Sequence, residues 1–132
     1  PILVYGDGEQ TRAFSDIKYY MEPFDILHEN FDGEIFNIGA DKYFSLNQVA
    51  ETVQKIGKKY GYDVPIEHGP PRHEVKHAYC DHTKAKTMLG FKDDTRLEEL
   101  IEDVFVWAMN EPNRKVKDRE YEITKDIYEY WE

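Results

Sequence analysis

An arginine that follows a glycine turn can present a fork of N–H donors to a phosphate. The segment Gly6-Asp7-Gly8-Glu9-Gln10-Thr11-Arg12 has that form. An ordinary solvated arginine after a turn has the same spacing, so residue types alone leave both readings open. A second segment, Pro70-Pro71-Arg72-His73-Glu74-Val75-Lys76-His77, carries a cation at Arg72 and a carboxylate at Glu74. The first suits a phosphate and the second a sugar hydroxyl. Its two prolines lower the entropy lost when such a loop holds a ligand. His73, Glu74 and His77 do not have the spacing of a helical zinc motif, so no metal site is expected.

Other catalytic signatures are missing. The sequence has no Gly-x-Gly-x-x-Gly, no Gly-x-x-x-x-Gly-Lys and no Gly-x-Ser-x-Gly. Cys80 has His77 and His82 nearby in sequence, but a lone cysteine beside Asp81 reads as a small buried hydrophobe. His28, His68 and His82 read as surface or capping groups.

The elements that must position these residues follow from periodicity and turn chemistry. Ile2 to Tyr5 is a short strand running into the Gly6-Asp7-Gly8 turn, and Thr11 to Ile17 reads as extended. Asp16 caps a helix through Tyr20, Met21 and Phe24, which Pro23 must kink or restart. Asp32-Gly33 is a turn, and 34–38 alternates as a strand ending at Gly39. Ser45-Leu46-Asn47-Gln48 is a capping box. It opens a helix with Leu46, Val49, Val53, Ile56 and Tyr60 on one face, stopped by Gly61. A strand is expected over 64–67, a proline-rich loop over 68–74, and a short helix from Asp81 to Leu89-Gly90. Thr95-Arg96-Leu97-Glu98 reads as a second capping box. Its helix should turn Leu97, Leu100, Ile101, Val104, Phe105 and Ala108 inward and end before Pro112. The tail 113–132 carries Tyr121, Ile123, Ile127, Tyr128, Tyr130 and Trp131, and reads as an aromatic docking segment. Alternating strands and helices make the class α/β, with a mixed or parallel sheet.

Composition agrees with one modest globular domain: 132 residues, 40% apolar and 33% charged. The net charge of −10 argues against nucleic acid or an anionic membrane as partner, since both need clustered Lys and Arg. It leaves room for an anionic small molecule held by one or two arginines. With one cysteine no intrachain disulfide forms, which fits a reducing cytoplasm. No apolar run approaches the ~20 residues of a membrane span.

Read together, four blocks resemble the C-terminal portion of the extended short-chain dehydrogenase/reductase family, the NAD-dependent nucleotide-sugar epimerases and dehydratases. They are Pro1 to Phe14, with its Gly-Asp-Gly-x-Gln-x-Arg; Gly33 to Gly39 with the helix after Ser45; Arg72 to Ala78; and Asp81 to Phe91 with the helix after Thr95. The resemblance covers about residues 1–110. It implies that Arg12 and Arg72 contact a nucleotide diphosphate and that Glu74 binds ribose hydroxyls. It also implies a fold made of the substrate-binding lobe (1–112) plus a strand and helices of the Rossmann domain, followed by the docking tail (113–132). The run Arg12-Ala13-Phe14-Ser15-Asp16-Ile17-Lys18-Tyr19 departs from the family's usual Arg-Asp-Phe and Tyr-Val-Asp-Asp.

In the family, the NAD fingerprint and the catalytic Tyr-x-x-x-Lys pair lie upstream of these blocks, and neither is expected in this chain. The resemblance therefore implies a parent UDP-sugar 4-epimerase that uses NAD to oxidise C4 transiently and return the hydride to the other face. A 4,6-dehydratase or UDP-glucuronate decarboxylase is the alternative, and a stand-alone binding module is the rival from another class. The chain alone is expected to bind a nucleotide-diphosphate sugar, to hold no NAD, and to be inactive without the missing N-terminal half. It is also expected either to self-associate or to repack where that half's cover is absent.

Overall fold

A computed structural model describes residues 1–112; the expected docking tail lies outside the described residues. Among the described residues the fold is mixed α/β, with a two-stranded and a three-stranded sheet.

Strand β1 (Ile2–Tyr5) pairs in parallel with β4 (Ile66–Gly69), placing Tyr5 opposite Gly69. β4 starts two residues later than the expected 64–67. Pro65 has no N–H to give a ladder, but its carbonyl accepts from Ile2 N at 2.8 Å and anchors the start of the pairing. Strand β2 (Thr11–Ala13) is central in the other sheet, antiparallel to β3 (Tyr43–Ser45) and parallel to β5 (His77–Ala78). The extended stretch at 11–17 is thus shorter than expected, and β5 was not foreseen.

Asp16 accepts from Lys18 N at 3.0 Å and heads a 3₁₀ turn, Ile17–Tyr20. Hydrogen bonds from Lys18 hold the Asp16 carboxyl below the usual range. Helix α1 (Met21–Asn30) restarts with Pro23 in its first turn, where a proline needs no acceptor. Helix α2 (Leu46–Lys59) has the full reciprocal box between Ser45 and Gln48, and Gly61 follows its end at φ 88°. α2 lies against β1 and against α4 (Leu97–Asn110), where Tyr60 stacks on Phe105 at 5.5 Å. Helix α3 (Thr83–Leu89) begins with Asp81 accepting from Thr83 N at 2.8 Å and ends at Gly90 in the left-handed region. Ala85, Leu89 and Phe91 form a buried cluster, with Ile26, Leu27, Phe31, Phe36 and Ile38 packed on it.

Several expectations are corrected. Segment 34–38 makes no ladder among the described residues: Phe36 and Ile38 face the Phe91 cluster, and no strand lies alongside to take its backbone bonds. The second capping box does not form. The Thr95 hydroxyl is buried, accepts from Asp16 N at 2.9 Å and donates to Asp93 at 2.6 Å, so it is spent away from α4. Val104 and Ala108 on α4 face outward rather than inward. His82 stands at the N-cap position of α3, but its side chain makes no cap bond: it is largely covered, meets Phe91 edge to face and contacts Asp41 at 2.7 Å. Lys86 and then His82 hold the Asp41 carboxyl low, tying the 40–42 loop to α3. Cys80 packs against Gly39, where an added Cβ would stand 2.7 Å from its sulfur. Among the described residues no helix is long and apolar enough to cross a membrane.

Candidate functional site

The site is built where β1 runs into the first glycine turn. Gly6 and Gly8 both sit in the left-handed region, at φ 74° and 73°. Asp7 Oδ1 accepts from Glu9 N at 3.0 Å and closes the turn. The start of α2 then clasps it. Leu46 N donates to Gln10 O at 3.1 Å and Asn47 N to Gly8 O at 3.0 Å, using N–H groups that have no acceptor within the helix. The Asn47 amide donates to Asp7 O and Glu9 Oε1, both at 2.9 Å. A Cβ on Gly8 would stand 1.9 Å from Asn47 Oδ1, so only glycine fits.

Past the turn, Gln10 points inward and is buried. Its amide donates to Tyr5 O at 2.9 Å and to Glu74 Oε1 at 3.0 Å. Two residues on, Arg12 reaches the same carboxylate, as period-two spacing allows: Nη2 meets Glu74 Oε2 at 2.6 Å, and Nη1 donates to Thr11 O at 2.8 Å. Thr11 N donates to Lys76 O at 2.8 Å, which pins the second loop to β2. The Arg72 guanidinium lies over the Tyr5 ring, 3.5 Å from its centroid. Gly69 leaves that ring its room, since a Cβ there would press on it at 3.3 Å.

The result is a concavity of about 460 Å³ lined by Tyr5, Gly6, Asp7, Gln10, Gly69, Pro71, Arg72, Glu74 and Lys76. That size suits a small ligand. Its lining carries two cations, Arg72 and Lys76, and two carboxylates, Asp7 and Glu74. Of the residues singled out from sequence, Arg72 and Glu74 line the concavity, and Arg12 joins it through Glu74. His77 is taken by the Thr11 hydroxyl at 2.8 Å. Sequence reasoning missed Tyr5, Gln10, Asn47 and Lys76. For Gln10 the signal was present, two positions before Arg12 in an extended run. For Tyr5 and Asn47 no sequence signal shows that they meet this turn.

One expectation about the sequence itself needs correcting. A Tyr-x-x-x-Lys spacing does occur, at Tyr121 and Lys125. It stands C-terminal to all four blocks, whereas the resemblance places the catalytic pair N-terminal to them, and it lies outside the described residues.

No protein-family model matches the chain. It is 29% identical over 126 residues to a Caenorhabditis elegans UDP-glucose 4-epimerase, covering 85% of this chain and 35% of that protein. It is 31% identical over 111 residues to a Bacillus cytotoxicus UDP-N-acetyl-alpha-D-glucosaminuronate decarboxylase, covering 80% of this chain and 35% of the other. The structure of a Thermotoga maritima UDP-glucose 4-epimerase with UDP-glucose superposes with a TM-score of 0.69 at 29% identity, covering 83% of this chain and 36% of that one. A mixed α/β fold is what the chain shares with part of that structure. The chain resembles the extended short-chain dehydrogenase/reductase family of nucleotide-sugar epimerases and dehydratases, to which these relatives belong. It spans about a third of the length of the curated relatives it matches.

The clasp generates a prediction. Gly8→Ala should destabilise the protein by about 2 kcal/mol or more, because alanine resists positive φ and its methyl displaces Asn47. Urea denaturation checks this; a loss under about 0.5 kcal/mol, the size of an ordinary surface change, would show that the turn is not held this way.

Proposed function

We propose that residues 1–112 form the nucleotide-sugar-binding portion of an NAD-dependent sugar 4-epimerase acting on a UDP-sugar. One observation carries the reading: Arg72 and Glu74 line a single concavity with Tyr5 as its platform, and Arg12 reaches it through its ion pair with Glu74. In this reading Arg12 and Arg72 take the diphosphate oxygens and Glu74 accepts from ribose hydroxyls. NAD, when bound by the nucleotide-binding half of such an enzyme, supplies the hydride acceptor. The residues here bind and orient the nucleotide. The 31% identity to a decarboxylase favours a second reading, a UDP-uronate decarboxylase on the same site. A reducing cytoplasm is the proposed setting, in keeping with the single cysteine.

Exposed apolar side chains support a further part of the proposal. Ile17, Met21 and Phe24 are 72%, 51% and 53% exposed, and on α4 Val104 and Trp107 are 52% and 60% exposed. Nothing among the described residues covers them, and faces of this kind drive association. We propose that copies of the chain associate through them. Light scattering at micromolar concentration should give a mass above the 15.7 kDa of one chain; a strict monomer contradicts this.

Arg12→Ala and Arg72→Ala should each weaken UDP binding by about 1.5–3 kcal/mol, the size of a lost charge-assisted hydrogen bond. Calorimetry showing unchanged UDP affinity in both variants removes the assignment; exposed ion pairs with no ligand role would change it by at most about 1 kcal/mol.

The purified 132-residue chain with added NAD should turn over no UDP-sugar, because it has no glycine-rich dinucleotide fingerprint. Turnover that is lost in Tyr121→Phe would reverse this and make the tail pair catalytic.

A further inference from the structure

The cation proposed to receive a phosphate already holds an anion. Arg12 Nη2 donates to Glu74 Oε2 at 2.6 Å, while Nη1 is turned to the Thr11 carbonyl at 2.8 Å. The other oxygen of Glu74 accepts from Gln10 at 3.0 Å, and Gln10 is itself buried and fixed to Tyr5 O. The carboxylate is therefore held at both oxygens, and Nη2 is the corner of Arg12 it occupies. The pair is partly open to solvent, with side-chain exposures of 26% for Arg12 and 33% for Glu74, so an incoming anion can reach it.

Any phosphate that takes Nη2 must first displace Glu74. A bare anion returns one pairing to Arg12 and leaves the carboxylate with Gln10 alone. A nucleoside diphosphate does more, because its ribose hydroxyls are donors that Glu74 can accept once it has swung away. We propose that Glu74 is a selectivity gate. It excludes inorganic anions from Arg12 by competing with them, and it yields to ligands that bring an anion and a vicinal diol together. This rests on the nucleotide-sugar reading above and deepens it: the site selects nucleoside diphosphates over free pyrophosphate through the carboxylate, not through its cations. The role of Gln10 is positional, since it holds the carboxylate where both Arg12 and a ribose lie within its swing.

The test titrates UDP and inorganic pyrophosphate into the wild-type chain and into Glu74→Gln by calorimetry. The substitution removes the competing charge and keeps the side chain's shape. Pyrophosphate should bind about fivefold more tightly to Glu74→Gln, the scale of one partly exposed ion pair removed. UDP should bind about tenfold more weakly, as its hydroxyls lose a charged acceptor. Wild type that binds UDP, with pyrophosphate affinity unchanged or lowered in the variant, overturns the gate and leaves the nucleotide site standing. Wild type that does not bind UDP removes the nucleotide reading and the gate with it. Should Glu74→Gln fail to fold, the wild type decides the matter through the ligand. UDP lacking both ribose hydroxyls should bind nearly as weakly as pyrophosphate; affinity equal to that of UDP overturns the gate.

Discussion

The side chain of Asn47 occupies the space that a Cβ at Gly8 would need, and the rest of the site depends on that fit. Through it the start of α2 grips the glycine turn by four hydrogen bonds, two from the helix backbone and two from the Asn47 amide. The Ser45–Gln48 box is what gives α2 its defined start, so a local capping signal ends up fixing a loop nearly 40 residues earlier in the chain. With the turn gripped, Gln10 is driven inward and Arg12 follows on the same side of the strand. Pairing of β1 with β4 independently sets Tyr5 over Gly69, which is where Arg72 comes to rest.

Electrostatics give the site its character. The chain carries ten more negative than positive charges, yet each arginine of the site is held in a defined pose: Arg12 by a carboxylate, Arg72 by an aromatic face. Held cations lose less entropy on binding than free ones. The surrounding acidity disfavours long polyanions, whereas a compact diphosphate needs only these few donors. The same arrangement sets the observed pairing of Glu74 with Arg12 against the role proposed for it as acceptor for a ligand.

Much of this was legible in the sequence where the signal is local. The Ser45 box, the Gly61 and Gly90 stops, the β1 strand, the Asp16 cap and the restart at Pro23 follow from neighbours within four residues. Signals that depend on distant partners misled. Thr95 has the right spacing for a cap, but its hydroxyl is taken by the Asp16 N–H and the Asp93 carboxylate. Segment 34–38 alternates like a strand, yet a strand exists only with a neighbour to pair with, and alternation cannot supply one. His82 looks like a surface histidine until the 40–42 loop folds over it. At the site, Arg12, Arg72 and Glu74 were legible as residue types, but the Arg12–Glu74 pair spans 62 positions, and only the β2–β5 register brings its ends together.

The central claim is that the concavity between the glycine turn and the proline-rich loop is where a nucleotide diphosphate binds. The most direct measurement is chemical-shift mapping by NMR on the isotope-labelled chain during titration with UDP. Binding there should place the largest shifts on 5–12 and 69–76, with the Gln10 side-chain amide and the Arg12 and Arg72 guanidinium signals among them. Shifts confined to other surfaces, or no shifts at millimolar UDP, a concentration that would detect even weak small-molecule binding, would contradict it.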